Sequence, residues 1–195
     1  MKRATLESFF GHLCQYVDIS KEEFNDMLSF FEERNLAKKE ILMHAGGPCT
    51  HAHVVLKGCM HMYFVNEKGV ERTVQFALEN WWLTDFLAFQ NKSNTDFFIQ
   101  AVEKSEVLSI SLDQQERLLE KYPKLERYFR MIYQTAYGAS LMRTKYLSDF
   151  SKEEIYLHFV EHYPTFAQRV PQYLIASFLG LTPEYVSEIR AKRRS

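Results

Sequence analysis

Apolar residues change their spacing twice along this chain. Near the N-terminus, Leu6, Phe9, Phe10 and Leu13 recur at about the 3.6-residue interval of a helix, as do Phe24, Met27, Leu28 and Phe31. Residues 1–36 are therefore expected to be helical. Ser20 and Glu23 have the spacing of a capping box at the second helix start. From Lys39 the runs become short or alternating, broken by Gly46-Gly47-Pro48, by Gly58 and by Asn66 to Gly69. That pattern predicts strands and turns, and "SEVLSISL" (Ser105 to Leu112) predicts one strand more. Six or more short antiparallel strands fit a small barrel, roll or sandwich.

After Asp113 the helical spacing returns. "DQQERLLEKYP" predicts a short helix stopped by Pro123, and Lys124 to Phe150 runs on without proline. In this second stretch Leu125, Phe129, Ile132, Ala136, Ala139 and Leu147 fall near one side. A helix of about 25 residues spans nearly 40 Å, too long for one small β domain to cover. It reads as a bundle member or as a helix that buries its stripe against a second copy. Ser151 and Glu154 mark a further capping box, opening a helix that ends near Pro164. Two short helices follow, Pro171 to Leu179 and Pro183 to Arg194.

Composition narrows the class. With 46% hydrophobic residues in 195, the chain can bury a real core. No run of about 18 uncharged apolar residues occurs, so no membrane span is expected. The N-terminus has no signal-peptide pattern. Cys14, Cys49 and Cys59 form no CxxC pair, so a reducing cytoplasm is the expected location. The net charge of −1 gives no general attraction to nucleic acid, yet "RAKRRS" at the end holds four of the 24 basic residues.

The most specific motif is "IASFLGLTPEYVSEIR", Ile175 to Arg190. It has the register of a helix-turn-helix beginning at Gln172. Ala176 is small where two helices would cross, and Gly180 supplies the turn. Ile175, Leu179, Leu181, Val186 and Ile189 are the apolar lock, with Thr182 as N-cap and Pro183 in the first helical position. The competing reading is an ordinary helical hairpin. At about 100° per residue, Glu184, Ser187, Glu188 and Ala191 point away from the buried side of the second helix. Glutamate can accept from cytosine N4, whereas Glu184 in the first turn would also favour the helix dipole. Tyr185, Lys192 and Arg194 flank the row where phosphates would lie, and Arg190 is closer to the buried side, a phosphate contact or packing residue.

Taken with "VVLKGCMHMYF" and "EKGVERTVQF", the ending "RVPQYLIASFLGLTPEYVSEIR" resembles the Crp/Fnr family of bacterial transcription regulators over nearly the whole chain. It looks closest to the branch in which "QRVPQYLIASFLGLTPE" is nearly a signature. The resemblance implies an α+β fold: an antiparallel, cyclic-nucleotide-binding-like β roll (a jelly roll) with flanking helices, a long dimerisation helix and a C-terminal winged helix-turn-helix. The expected limits are 1–122 for the sensor domain, 123–150 for the dimerisation helix and 151–195 for the DNA-binding domain. Implied partners are double-stranded DNA, a second copy and RNA polymerase, with no membrane and no cofactor. The DNA-contacting residues carried over or read above are Gln172, Thr182, Glu184, Tyr185, Ser187, Glu188, Lys192 and Arg194.

The chain departs from the family at its sensor. Cyclic-nucleotide members carry Gly-Glu-Leu and then Arg-Ser-Ala or Arg-Thr-Ala. Here Thr84-Asp85-Phe86 and Thr95-Asp96 stand in those places, and the phosphate-pairing arginine is missing. Cyclic AMP is therefore not the expected effector, and Thr84, Asp85, Thr95 and Asp96 outline the position of an unidentified one. The aromatics Trp81, Trp82, Phe86, Phe89, Phe97 and Phe98 read as core ahead of an apolar ligand pocket. The iron-sulfur branch's cysteine cluster is also absent, since Cys14 stands alone. The cyclic-AMP receptor reads DNA with Arg-Glu and a further Arg, where this chain has Pro183, Glu184 and Glu188.

Cys49, His51, His53, Cys59 and His61 have no zinc spacing and predict no metal site. His158 and His162 lack an HExxH pattern and read as surface residues. No catalytic motif is visible, so an enzyme is not expected. The remaining alternatives are a protein-interaction module that has lost DNA binding and, behind it, a metal-dependent roll enzyme.

Overall fold

The computed structural model describes residues 3–194, with the backbone alone for Arg3, Arg193 and Arg194. The chain divides into two compact units, one made of Met1–Phe64 and Gln75–Gln134, the other of Val65–Val74 and Thr135–Ser195.

The first unit opens with α1 (Arg3–Cys14), α2 (Lys21–Met27) and a 3-10 turn (Leu28–Phe30). Ser20 and Glu23 close the expected capping box on α2, each side chain bonded to the other's backbone N–H. Then come β1 (Glu32–Leu36), β2 (Ile41–Met43), β3 (His51–Lys57), β4 (Met60–Val65), β5 (Glu71–Ala77), β6 (Trp82–Leu83), α3 (Phe86–Asn91), β7 (Phe98–Ala101), β8 (Ser105–Ser111) and α4 (Leu112–Lys121). The strands form two antiparallel four-stranded sheets, ordered β1-β8-β3-β6 and β2-β7-β4-β5, a jelly-roll arrangement.

The expectation of helix through residue 36 fails at its end. Glu32–Leu36 is a strand whose residues pair from Glu32 with Ser109 to Leu36 with Ser105. Four of its five residues, EERN, are exposed, so no apolar face marks it as a strand. Pairing with β8, a contact distant in sequence, overrides the local preference.

The core holds Val54, Val55 and Leu56 from β3 with Val107, Leu108 and Ile110 from β8. Polar groups inside it are matched: His53 Nδ1 and Ser109 Oγ lie 2.8 Å apart on paired strands. At the β3–β4 turn Gly58 has φ +106°, and a Cβ there would come within 2.7 Å of the Ser105 Cα, so only glycine fits. The spine helix, α5 (Leu125–Asp149), begins in this unit. Tyr128 anchors it by accepting from Trp82 Nε1 at 2.9 Å, and Phe129 meets the same indole edge-on at 5.1 Å.

In the second unit every described element after residue 134 is helical: the rest of α5, α6 (Lys152–His162), α7 (Pro164–Arg169), α8 (Gln172–Phe178) and α9 (Pro183–Arg194). The implied wing has no strand counterpart among residues 135–194. Pro164 ends α6 as expected, and it also occupies the first turn of α7, a helix the apolar spacing did not predict. His158 is a half-buried packing residue, its ring 4.6 Å from Tyr146 and 5.2 Å from Phe150, and only His162 lies on the surface. The α5 stripe splits in two: Leu125 and Phe129 are buried, whereas Ala136, Ala139 and Leu147 are exposed. No helix among the described residues is long and apolar enough to cross a membrane.

Candidate functional site

The helix pair α8–α9 is built by local bonds that the sequence dictates. Gly180, at φ +72°, follows α8 in the left-handed conformation. The Leu181 N–H then reaches the Ala176 carbonyl at 2.8 Å and the Gly180 N–H reaches that of Ser177 at 3.2 Å. This is the paired bonding of a Schellman turn, which satisfies the last carbonyls of the helix. Thr182 opens α9 by accepting the Tyr185 N–H at 3.2 Å. Leu174, Ile175, Ala176, Leu179, Leu181, Val186 and Ile189 are all buried and lock the pair.

The spine holds α8 at the same end. Arg143 donates from Nη2 to the Phe178 carbonyl at 2.7 Å and lays its guanidinium 4.5 Å from the centre of that residue's ring. Burial pushes the Arg143 pKa down, and its Nε is buried without a hydrogen-bond partner. A cation at a helix C-terminus is favourable for the dipole. Nothing in the spacing of α5 marked Arg143 out, because its partner lies 35 residues away.

With Val186 and Ile189 inward, Glu184, Ser187 and Glu188 share the exposed side of α9, and Thr182 and Lys192 are exposed as well. Ser187 bonds back to the Pro183 carbonyl at 2.9 Å. Tyr185 is half-buried. Gln172, in the first turn of α8, and the half-buried Arg190 line a groove with Gln168, Arg169, Ile175 and Ile189. Sequence spacing had not singled out Gln168 and Arg169; they come to this groove through α7. The Arg194 side chain lies outside the described residues.

The residues aligned with a phosphate cassette form a closed network instead. Asp85 is the N-cap of α3, its Oδ1 accepting from the Ala88 N–H at 3.2 Å and its Oδ2 from the Thr95 hydroxyl at 2.8 Å. Thr95 in turn accepts the Phe97 N–H at 3.1 Å. Thr84 is buried and donates to the His51 carbonyl at 2.9 Å, with Cys49 Sγ 3.3 Å from its hydroxyl. Burial raises the Cys49 thiol pKa and keeps it protonated. Asp96 is exposed and stands apart from the network. A carboxylate of the chain itself thus caps the start of α3.

The cassette aromatics do not converge on one pocket. Trp82 and Phe89 are buried, Trp81 is 54% exposed, Phe86 packs edge-on against Tyr133 and Phe98 stacks on Tyr63. Among the histidines of 49–61, His51 and His53 stack with ring centres 6.3 Å apart, and each histidine has a polar partner of its own. His53 bonds Ser109, and burial takes its pKa down to about 3. His61 bonds Gln100 at 3.2 Å, and His51 bonds Thr50 at 2.8 Å. Among the described residues no group of three or more His, Cys, Asp or Glu could hold a metal ion.

Residues 33–122 match the cyclic nucleotide-binding domain. No curated protein matches the sequence. Among solved structures, FixK2 from Bradyrhizobium japonicum superposes with a TM-score of 0.71 at 15% identity, over 83% of each chain. The regulator CLP of Xanthomonas campestris gives 0.72 at 14% identity, over 90% of this chain and 92% of its own. A variant of CooA from Carboxydothermus hydrogenoformans gives 0.68 at 19%, over 92% and 86%. At these identities the likeness is one of fold: residues 33–122 match the cyclic nucleotide-binding domain, and the chain as a whole is similar in architecture to these regulators.

Proposed function

We propose that this protein is a sequence-specific DNA-binding transcription regulator of the Crp/Fnr type, acting in the cytoplasm as a homodimer on a near-palindromic operator. One observation carries the reading: α8 and α9 form a Schellman-turned helix pair whose second helix buries Val186 and Ile189 and leaves Glu184, Ser187 and Glu188 outward. Those three are the base-contacting residues. Thr182, Tyr185, Lys192 and Arg194, with Gln172 from α8, contact phosphate. The exposed half of the α5 stripe meets its copy, setting two reading helices about one DNA turn apart. Residues 1–122 act as sensor, 123–150 as dimerisation helix and 151–195 as reading domain.

The likeness to CLP, whose description is a c-di-GMP responsive global regulator, supports the regulatory class. Against cyclic AMP as the effector stands Thr95, at the place the resemblance gives to a phosphate-pairing guanidinium, with its hydroxyl held by Asp85 at 2.8 Å. Any effector acts by shifting the balance between poses of the helix pair. RNA polymerase is the partner for activation.

Selection of duplexes from a random pool tests this. A steep negative slope of log affinity against log salt and a two-fold symmetric consensus are expected. A chain that retains no duplex at low salt is an interaction module and not a regulator of this kind.

A further inference from the structure

β5 is the outermost strand of its sheet, in the order β2-β7-β4-β5. An outer strand presents backbone N–H and C=O groups along its free edge, and those groups need a cover. The tip of the β4–β5 hairpin, Val65–Val74, belongs to the same compact unit as the C-terminal helices. There one side chain meets two groups of β5: Ser177 donates its hydroxyl to the Glu71 carbonyl at 3.0 Å and accepts the Thr73 N–H at 2.9 Å. Carbonyl i and amide i+2 point to the same side of a strand, so a single hydroxyl replaces the residue of a neighbouring strand.

Ser177 lies on α8, where a hydroxyl ordinarily bonds back to the carbonyl four residues earlier. Thr144, Ser148 and Ser187 do so in this chain, at 3.0, 2.9 and 2.9 Å. Ser177 instead spends both its donor and its acceptor on β5. The next residue, Phe178, takes the Arg143 guanidinium. The end of α8 is therefore gripped by the hairpin at one residue and by the spine at the next.

We propose that Ser177 is a positioning residue for DNA reading, fixing the helix pair to the β4–β5 hairpin so that α9 is already oriented when it meets the operator. This rests on the regulator reading above.

The test uses the full chain and a duplex chosen by the wild-type protein from a random pool. Ser177→Ala removes both bonds and keeps a good helix former. Its affinity is expected to fall roughly tenfold, because an anchor that preorganised the pair is gone. Base preference and salt slope should stay as they were, since no base or phosphate contact changes. Amide exchange at Thr73 should quicken, and Ser177→Thr, which keeps the hydroxyl, should restore both affinity and protection. Wild-type affinity in Ser177→Ala overturns the proposal, as does a changed base preference with Thr73 exchange unaltered. If the wild-type chain selects no duplex while Thr73 exchange still responds to Ser177→Ala, the bond is structural, and the positioning role falls together with the regulator reading.

Discussion

Asp85 accepts the Thr95 hydroxyl at 2.8 Å with one carboxylate oxygen and caps α3 with the other. The resemblance aligns the two residues with an acid and a phosphate-pairing arginine of cyclic-nucleotide members, yet here they satisfy each other. Asp85→Ala removes a cap and a charge-assisted bond together and should cost about 1–3 kcal/mol of stability. Urea unfolding measures it. Cyclic AMP should leave the wild-type melting temperature unmoved, and a saturable rise would sink the closed-cassette reading.

Glu184 and Glu188 differ in how well the helix dipole alone accounts for them. Glu184→Ala should weaken discrimination at one base pair by about 1–3 kcal/mol if it accepts from cytosine. Glu188 lies beyond the first turn of α9, where the dipole has faded. Glu188→Ala should shift the selected consensus at a different position. Competition binding against a panel of single-base variants reads both.

The exposed half of α5 should self-associate. Ala139→Glu and Leu147→Glu place charges on a stripe that the proposed dimer buries. Sedimentation should find these variants monomeric at concentrations where the wild-type chain is dimeric. Unchanged association would point to another interface.

Tyr128 is buried and its hydroxyl is the partner of the Trp82 indole N–H. Tyr128→Phe keeps the ring and leaves a buried donor unpaired, at a cost of about 1–3 kcal/mol. The loss should appear in the denaturation midpoint with the m-value unchanged.

His53 makes stability depend on acid. Burial, with smaller contributions from His51 and Arg34, lowers its folded pKa from 6.5 to about 3, so between those values the unfolded chain binds the extra proton. Its contribution is complete above pH 6.5 and is lost as pH falls towards 3. His53→Gln should flatten stability against pH in that window by up to about 1.4 kcal/mol per pH unit. Parallel profiles for the two proteins would show that another group sets the slope.

Local spacing was enough for several elements, because each of them rests on contacts within a few residues. The capping boxes at Ser20 and Ser151, the stop at Pro123, the spine of Leu125–Asp149 and the Gly180 turn are all of that kind. It also placed Glu184, Ser187 and Glu188 outward, since 3.6-residue periodicity follows from which residues are apolar. Features that depend on partners distant in the chain were set by packing. It made a strand of the polar segment Glu32–Leu36, by pairing it with β8. It turned Asp85 inward to Thr95, buried His53 against Ser109, and brought Arg143 to Phe178 and Ser177 to the edge of β5. A hydroxyl or a guanidinium carries no periodicity of its own, so its partner is set by how the elements pack and not by the spacing of residues around it.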